Sequence, residues 1–250
     1  MWNLSNIGRI FFGVAMAAMG LETIYYRDFP YMLIPPDHAW LKDHLIFVFG
    51  AFFFLAGAYI VIGKKMGPVA LLLGGVLVAI FCLYIPTSFH YTQIGQWENA
   101  AKELALAAAA LVISRSDFAR RAGTYLFCAI ILFFGLNHFV YATEASGYIP
   151  SWIPAHLFWM YVTGSALIGA SLAIMLNIKP RLAATLLGAM IFTWVLMLHI
   201  PKAMGAPMAD NEGEITSAFL ALAYCGTAFA IAGYKNEYGR ISTKTSRDSN

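Results

Sequence analysis

Charge is scarce in this chain: only 12% of its 250 residues are Asp, Glu, Lys or Arg, while 60% are apolar. Soluble domains carry about 25% charged and about 45–50% apolar residues, so an ordinary water-soluble globule is excluded. Cysteine is scarcer still. Its three copies, Cys82, Cys128 and Cys225, stand alone with no Cys-x-x-Cys pair, which argues against a dithiol oxidoreductase. Isolated cysteines in apolar runs are small packing residues. A Gly-rich phosphate loop, a dinucleotide fingerprint and a Ser/His/Asp arrangement are also missing. Neither His-x-x-x-His nor Glu-x-x-His occurs, so spacing supports no metal site.

What the chain does have is a set of long apolar stretches. Eight of them, at about 7–26, 43–63, 67–86, 98–115, 122–141, 156–178, 181–200 and 214–234, approach the roughly 20 residues a helix needs to cross a bilayer. The fourth is the weakest, because Glu98, Lys102 and Glu103 lie in its first turns. Its remainder, Ala105 and Ala107 to Ala110, suits close helix packing. The first segment reads as a crossing and not as a cleavable signal peptide, since it lacks a small-residue cleavage site. Helices are expected throughout, because lipid offers no water to satisfy free backbone groups and no alternating barrel pattern appears.

The basic residues are unevenly placed. Twelve (Arg9, Lys64, Lys65, Arg115, Arg120, Arg121, Lys179, Arg181, Lys235, Arg240, Lys244 and Arg247) flank one set of segment ends, against four (Arg27, Lys42, Lys102, Lys202) at the other. By the positive-inside rule both termini are cytoplasmic and the first-named ends face the cytoplasm. The net charge of +3 therefore reports topology and not a nucleic-acid partner.

Residues 8–107 also repeat about 115 positions later. Gly8 and Phe12 match Gly123 and Phe127; Gly20-Leu21 and Tyr26 match Gly135-Leu136 and Tyr141; Ile34-Pro35 match Ile149-Pro150; Ile85-Pro86 match Ile200-Pro201. After one slipped residue, Glu98 matches Glu214. Two fused copies of one folding unit follow. An even number of crossings per copy makes the halves enter the membrane the same way round, about an axis along its normal. The expected fold is an all-α integral membrane protein of eight transmembrane helices, arranged as two parallel-repeat four-helix bundles. The expected division is 1–115 for the first unit, 116–121 for a cytoplasmic connector, 122–234 for the second unit and 235–250 for a disordered cytoplasmic tail.

In the second copy Gly135-Leu136-Asn137-His138-Phe139, Ile149-Pro150-Ser151-Trp152-Ile153-Pro154 with His156, Trp159 to Gly164, and Leu198-His199-Ile200-Pro201 together resemble the DoxX family of small four-helix membrane proteins. The resemblance covers the chain as two tandem units, strongly in the second and faintly in the first, where Thr23 and Tyr84 stand in place of His138 and His199. It implies a redox-linked, quinone-interacting subunit of the cell (inner) membrane, working with a partner redox protein. The departure in the first copy implies unequal halves.

Chemistry is expected on the outer side, where all six histidines and ten of thirteen acids fall. In the second unit each helix can supply one polar group at similar depth: His138, His156, His199 and Glu214. The first unit offers Glu22, His44, Tyr84 and Glu98, with Glu103 further in. Ionisable groups within a spanning segment are functional candidates, which singles out His138, His199, Glu22 and Glu103 for catalysis. His156, Glu214, Tyr84, Glu98 and His44 are candidates for ligand binding. His switches protonation near neutral pH, so such a cluster beside an apolar cavity can exchange protons with a quinone headgroup. Haem or a metal is disfavoured and the cofactor stays open. The plain alternatives remain: His156 and Glu214 sit at helix starts, where polar residues are ordinary and Glu complements the helix dipole; Glu98 and Lys102 have helical ion-pair spacing; Glu103 can pair with Lys102 near the surface. Tyr25, Tyr26, Tyr31, Trp40, Trp97, Trp152 and Trp159 read as an interfacial belt. The Pro-rich loops 27–43 and 142–155 read as caps over the bundles. The rival to a redox subunit is a non-catalytic membrane module that binds or carries a lipophilic small molecule or scaffolds a complex.

Overall fold

The structure, a computed structural model, describes residues 3–29, 42–90, 94–114, 116–205 and 211–247. Ten α-helices order the described chain: α1 Leu4–Tyr26, α2 Lys42–Ile62, α3 Gly67–His90, α4 Ile94–Ile113, α5 Asp117–Val140, the short α6 Ala142–Ser146, α7 His156–Met175, α8 Pro180–Trp194, α9 Ile200–Gly205 and α10 Asn211–Arg247. A π-helical turn, Val195–His199, joins α8 to α9, so that Pro180–Gly205 runs as one span of 26 residues. No strand occurs among the described residues.

Seven helices among the described residues are long and apolar enough to cross a membrane, and the chain is an integral membrane protein. The missing member of the expected eight is α4, whose polar first turns lower its hydropathy. Its environment explains how it tolerates them. Ala105 to Ala110 are completely buried, and so is Glu103, because α4 is walled in by α3, α5 and α10. A helix shielded from lipid by its neighbours has no need of an all-apolar surface.

The helix ends follow local chemistry. Ser116 caps α5, its hydroxyl accepting from the Ala119 amide at 3.4 Å, and Asp117 occupies the first turn, where a negative charge complements the dipole. The expected connector 116–121 is therefore mostly helix. Beyond Tyr234, where an unstructured tail is expected, α10 continues to Arg247; the segment has basic residues but no proline to stop a helix. At the basic ends of the helices, the Arg9 guanidinium donates to the terminal carbonyls of α2 at Ile60 and Val61. Arg120 donates to the Ser114 carbonyl at 2.8 Å and stacks 3.7 Å over the Tyr234 ring. Such contacts satisfy carbonyls that a helix end leaves bare.

Packing runs in a closed circuit: α2 on α1, α1 on α10, α10 on α8, α8 on α7, α7 on α5, α5 on α4, α4 on α3 and α3 on α2, with α4 and α10 also meeting across the middle. Consecutive segments thus do not form two self-contained four-helix bundles; α1 leans on the last helix of the chain, and α5 on α4. Glycines allow the tightest crossings. A Cβ at Gly135 would lie 2.8 Å from Ile168 and 3.0 Å from the Gly164 carbonyl of α7. Ordinary carbon contacts need about 3.5–4.0 Å, so only glycine lets these backbones approach so closely.

Candidate functional site

The circuit encloses a cavity of about 620 Å³ between α4, α5, α7, α8 and α10. It lies at the end of the bundle where α5 and α9 finish and α4, α7 and α10 begin. Its apolar walls include Ile131, Phe134, Leu167, Met190, Leu198 and Leu220. Tyr224, ten residues along α10 from Glu214 and therefore about 15 Å deeper, is its innermost member on that helix. The size falls in the range of about 300–1,000 Å³ usual for small-molecule sites.

His138 and His199 both line this cavity. His138 lies near the end of α5, where its Nδ1 is 2.8 Å from the Phe134 carbonyl oxygen. A carbonyl only accepts, so Nδ1 carries the proton and neutral His138 keeps an Nε2 lone pair for another partner. His199 closes the π-helical turn. The cause of that turn is Pro201, which lacks an amide proton and would clash with a carbonyl in a regular helix; the Ile200 amide reaches back five residues to Val195 instead. Such bulges gather at functional positions. Here the bulge leaves Nδ1 of His199 buried with no hydrogen-bond partner among the described residues. Nδ2 of Asn137, also on the cavity wall, is in the same condition.

Two ion pairs accompany these groups. Lys102 and Glu98 on α4 are 3.3 Å apart, as the four-residue spacing led one to expect, and Lys102 also donates to the Asn99 side chain at 3.2 Å. Lys202 and Glu214 are 3.1 Å apart and lie within electrostatic reach of His199, with Lys202 4.5 Å over the Tyr148 ring. Glu98 keeps 42% of its side chain exposed and is one of the lining residues. Trp159 of α7 meets Trp194 of α8 edge-on, centroids 6.2 Å apart, and both are wall residues. The loop between α5 and α7 roofs the cavity as expected of a cap: α6 with Ile149 and Ile153 packs on Met160, Trp194 and Leu198. The other loop falls mostly within 30–41, outside the described residues.

The remaining candidates are dispersed. Glu98, expected in a first-unit ring with Glu22 and Tyr84, lines this cavity instead, because α4 packs on α5 and α10. His156 stays out of the cavity; its Nε2 is 3.2 Å from the Pro150 carbonyl, a staple across its own loop. Glu214 is a salt-bridged rim residue. Glu22 is buried in α1 and accepts from the Thr216 hydroxyl of α10 at 2.6 Å, and Tyr84 is wholly buried in the core. Glu103 is buried without pairing to Lys102, which turns to Glu98 instead. His44 begins α2, and its side chain lies outside the described residues, as do His38, His90 and Asp210. Sequence reasoning missed Asn137, Lys102, Trp194 and Tyr224 as wall residues, and placed Trp159 in the interfacial belt. Asn137 was legible, being an amide inside an apolar run. No group of three or more His, Cys, Asp or Glu among the described residues forms a metal cage.

Comparison with known proteins adds no relative: no family model matches the chain, nor does any curated protein or solved structure.

Proposed function

We propose that this chain is an eight-crossing protein of the cell (inner) membrane, built as a tandem pair of DoxX-like units with both termini cytoplasmic. Its cavity, on the outer side, holds the headgroup of a quinone or a similar lipophilic small molecule. Support for the duplication comes from contacts that follow the repeat. Gly8 seats α1 on Gly226 of α10, and its counterpart Gly123 seats α5 on Ala108 of α4; Gly20 meets Gly50 of α2, and Gly135 meets Gly164 of α7. The same pairing of α1 with α10 and α5 with α4 makes the units interlock. On this reading α4 is the eighth crossing, hidden from lipid.

The observation that carries the binding reading is a mostly apolar cavity lined by two residues, Asn137 on α5 and His199 after α8, that each hold a buried unpartnered nitrogen, Nδ2 and Nδ1. Leaving such groups unmet costs about 1–3 kcal/mol each; a ligand with two oxygens on a flat apolar ring removes that penalty. Both lysines near the cavity are already neutralised by glutamates, so an uncharged head fits better than an anion. His199 can donate to a quinone carbonyl or accept from a quinol hydroxyl, and His138 Nε2 offers a second proton acceptor. Turnover would pass electrons to a partner redox protein; this part rests on the DoxX resemblance.

A short-chain quinone titrated into the purified protein tests the proposal. Trp159 and Trp194 in the wall should report saturable fluorescence quenching. Removing either polar partner, in Asn137→Ala or His199→Ala, should weaken binding roughly tenfold, the worth of one hydrogen bond of about 1.4 kcal/mol. Absence of saturable binding refutes the reading. Binding without quinone-linked turnover in membranes supports the non-catalytic module instead.

A further inference from the structure

Glu103 is left over by this site. Its side chain is wholly buried in α4, and neither carboxyl oxygen has a hydrogen-bond partner among the described residues. A bare carboxylate in such surroundings is far more costly than the neutral acid, so the resting group carries its proton. Replacing it with an apolar residue would be the simpler way to fill the space, so the acid invites a use for its proton.

Tyr224 is a cavity-lining residue whose hydroxyl reaches the backbone next to Glu103. Its ring lines the cavity and is held by Phe127 and Phe134, at centroid distances of 6.1 and 6.3 Å. Its hydroxyl donates to the carbonyl of Lys102, the neighbour of Glu103, at 3.1 Å, and lies within electrostatic reach of Glu103 and Glu98. We propose that Glu103 is an internal proton store that exchanges with the cavity through the Tyr224 hydroxyl. In the filling direction the Glu103 carboxylate rotates toward the hydroxyl, which leaves the Lys102 carbonyl, passes its proton to the carboxylate and takes another from cavity water. In the emptying direction both transfers reverse. Only O–H bonds form and break, and no electron moves. Titratable groups on the packed elements include Glu98 and Lys102 on α4, Cys128 and His138 on α5, Cys225 and Glu214 on α10, and Tyr84 and Cys82 on α3; of these Cys82 is exposed, Glu98 and Lys102 pair with each other, and Glu214 pairs with Lys202.

Infrared spectroscopy of the full chain in lipid nanodiscs reads the store directly, with no quinone present. The wild type should show a protonated-carboxyl band at neutral pH that shifts on exchange into D2O. Glu103→Gln should lose the band, whereas Glu22→Gln, the control for the other buried acid, should keep it. Tyr224→Phe should keep the band but exchange it about 10²-fold more slowly, as expected when a positioned proton carrier is removed. A band that survives in Glu103→Gln, or exchange at the wild-type rate in Tyr224→Phe, overturns the proposal. Should Glu103→Gln fail to accumulate, band assignment by Glu22→Gln and exchange in Tyr224→Phe still decide. Failure of quinone binding leaves this result untouched, and the reverse holds too.

Discussion

Two glycines five residues apart in α7 should respond oppositely to alanine. At Gly164 an added Cβ would stand 2.8 Å from the His138 Cβ, 2.9 Å from the Phe139 ring and 3.0 Å from the Gly135 carbonyl. Carbon atoms settle at about 3.5–4.0 Å, so α5 and α7 must part by several tenths of an ångström. Inserting a methyl into a tight contact costs typically about 1–3 kcal/mol. At Gly169 nothing lies within 4 Å of the new carbon; Ala there should gain up to about 1 kcal/mol from helix propensity alone. For a chain of this size each kcal/mol moves the melting temperature by about 2–4 °C. With the same propensity gain offsetting part of its clash, Gly164→Ala should therefore melt lower than wild type by up to roughly 8 °C and Gly169→Ala higher by up to about 4 °C, as read by thermal unfolding in a mild detergent. Gly164→Ala should also weaken quinone binding, since the clash falls on the backbone-proximal carbon of His138. Shifts of the same sign and size in the two variants would refute the packing argument, because helix propensity treats both positions alike.

Three further outcomes follow from the structure. Thr216→Val keeps the shape of the α1–α10 seam but removes the donor to Glu22, and should cost between about 0.6 kcal/mol, the average polar contact in membranes, and about 3 kcal/mol, the upper end for bonds to charged groups; chemical denaturation in detergent measures it. His138→Ala and His199→Ala should accumulate in membranes yet lose quinone-linked turnover by about 10²–10⁴-fold; full activity in both would make the histidines structural. Reporter fusions after Arg120 and at Asn250 should both read as cytoplasmic, and an outer-side signal at Arg120 would remove α4 from the count of crossings.

How far the sequence reaches depends on the range of the physics involved. Helical class, membrane residence and the approximate helix ends were legible because hydropathy and capping are local properties: Ser116 and Pro201 act on their own few neighbours. The gathering of polar groups at one end was legible for the same reason, since depth along a helix is counted in residues. His138 and His199 could be paired in advance because both come late in helices that end on the same side. Rotation and neighbourhood were not. In a bilayer lipid is as apolar as leucine, so hydrophobic pattern does not say which face turns inward or which helix stands beside it; small residues and shape complementarity decide. Only the packed structure brings Glu98 to the cavity beside His138 and His199, since α4 lies against α5 and α10. It alone turns Trp159 from the belt to the wall, fastens His156 to the Pro150 carbonyl, and buries Glu103 completely. The repeat in sequence does not say which helices touch; close glycine contacts seat α1 on α10 and α5 on α4, helices that no pattern in the sequence pairs.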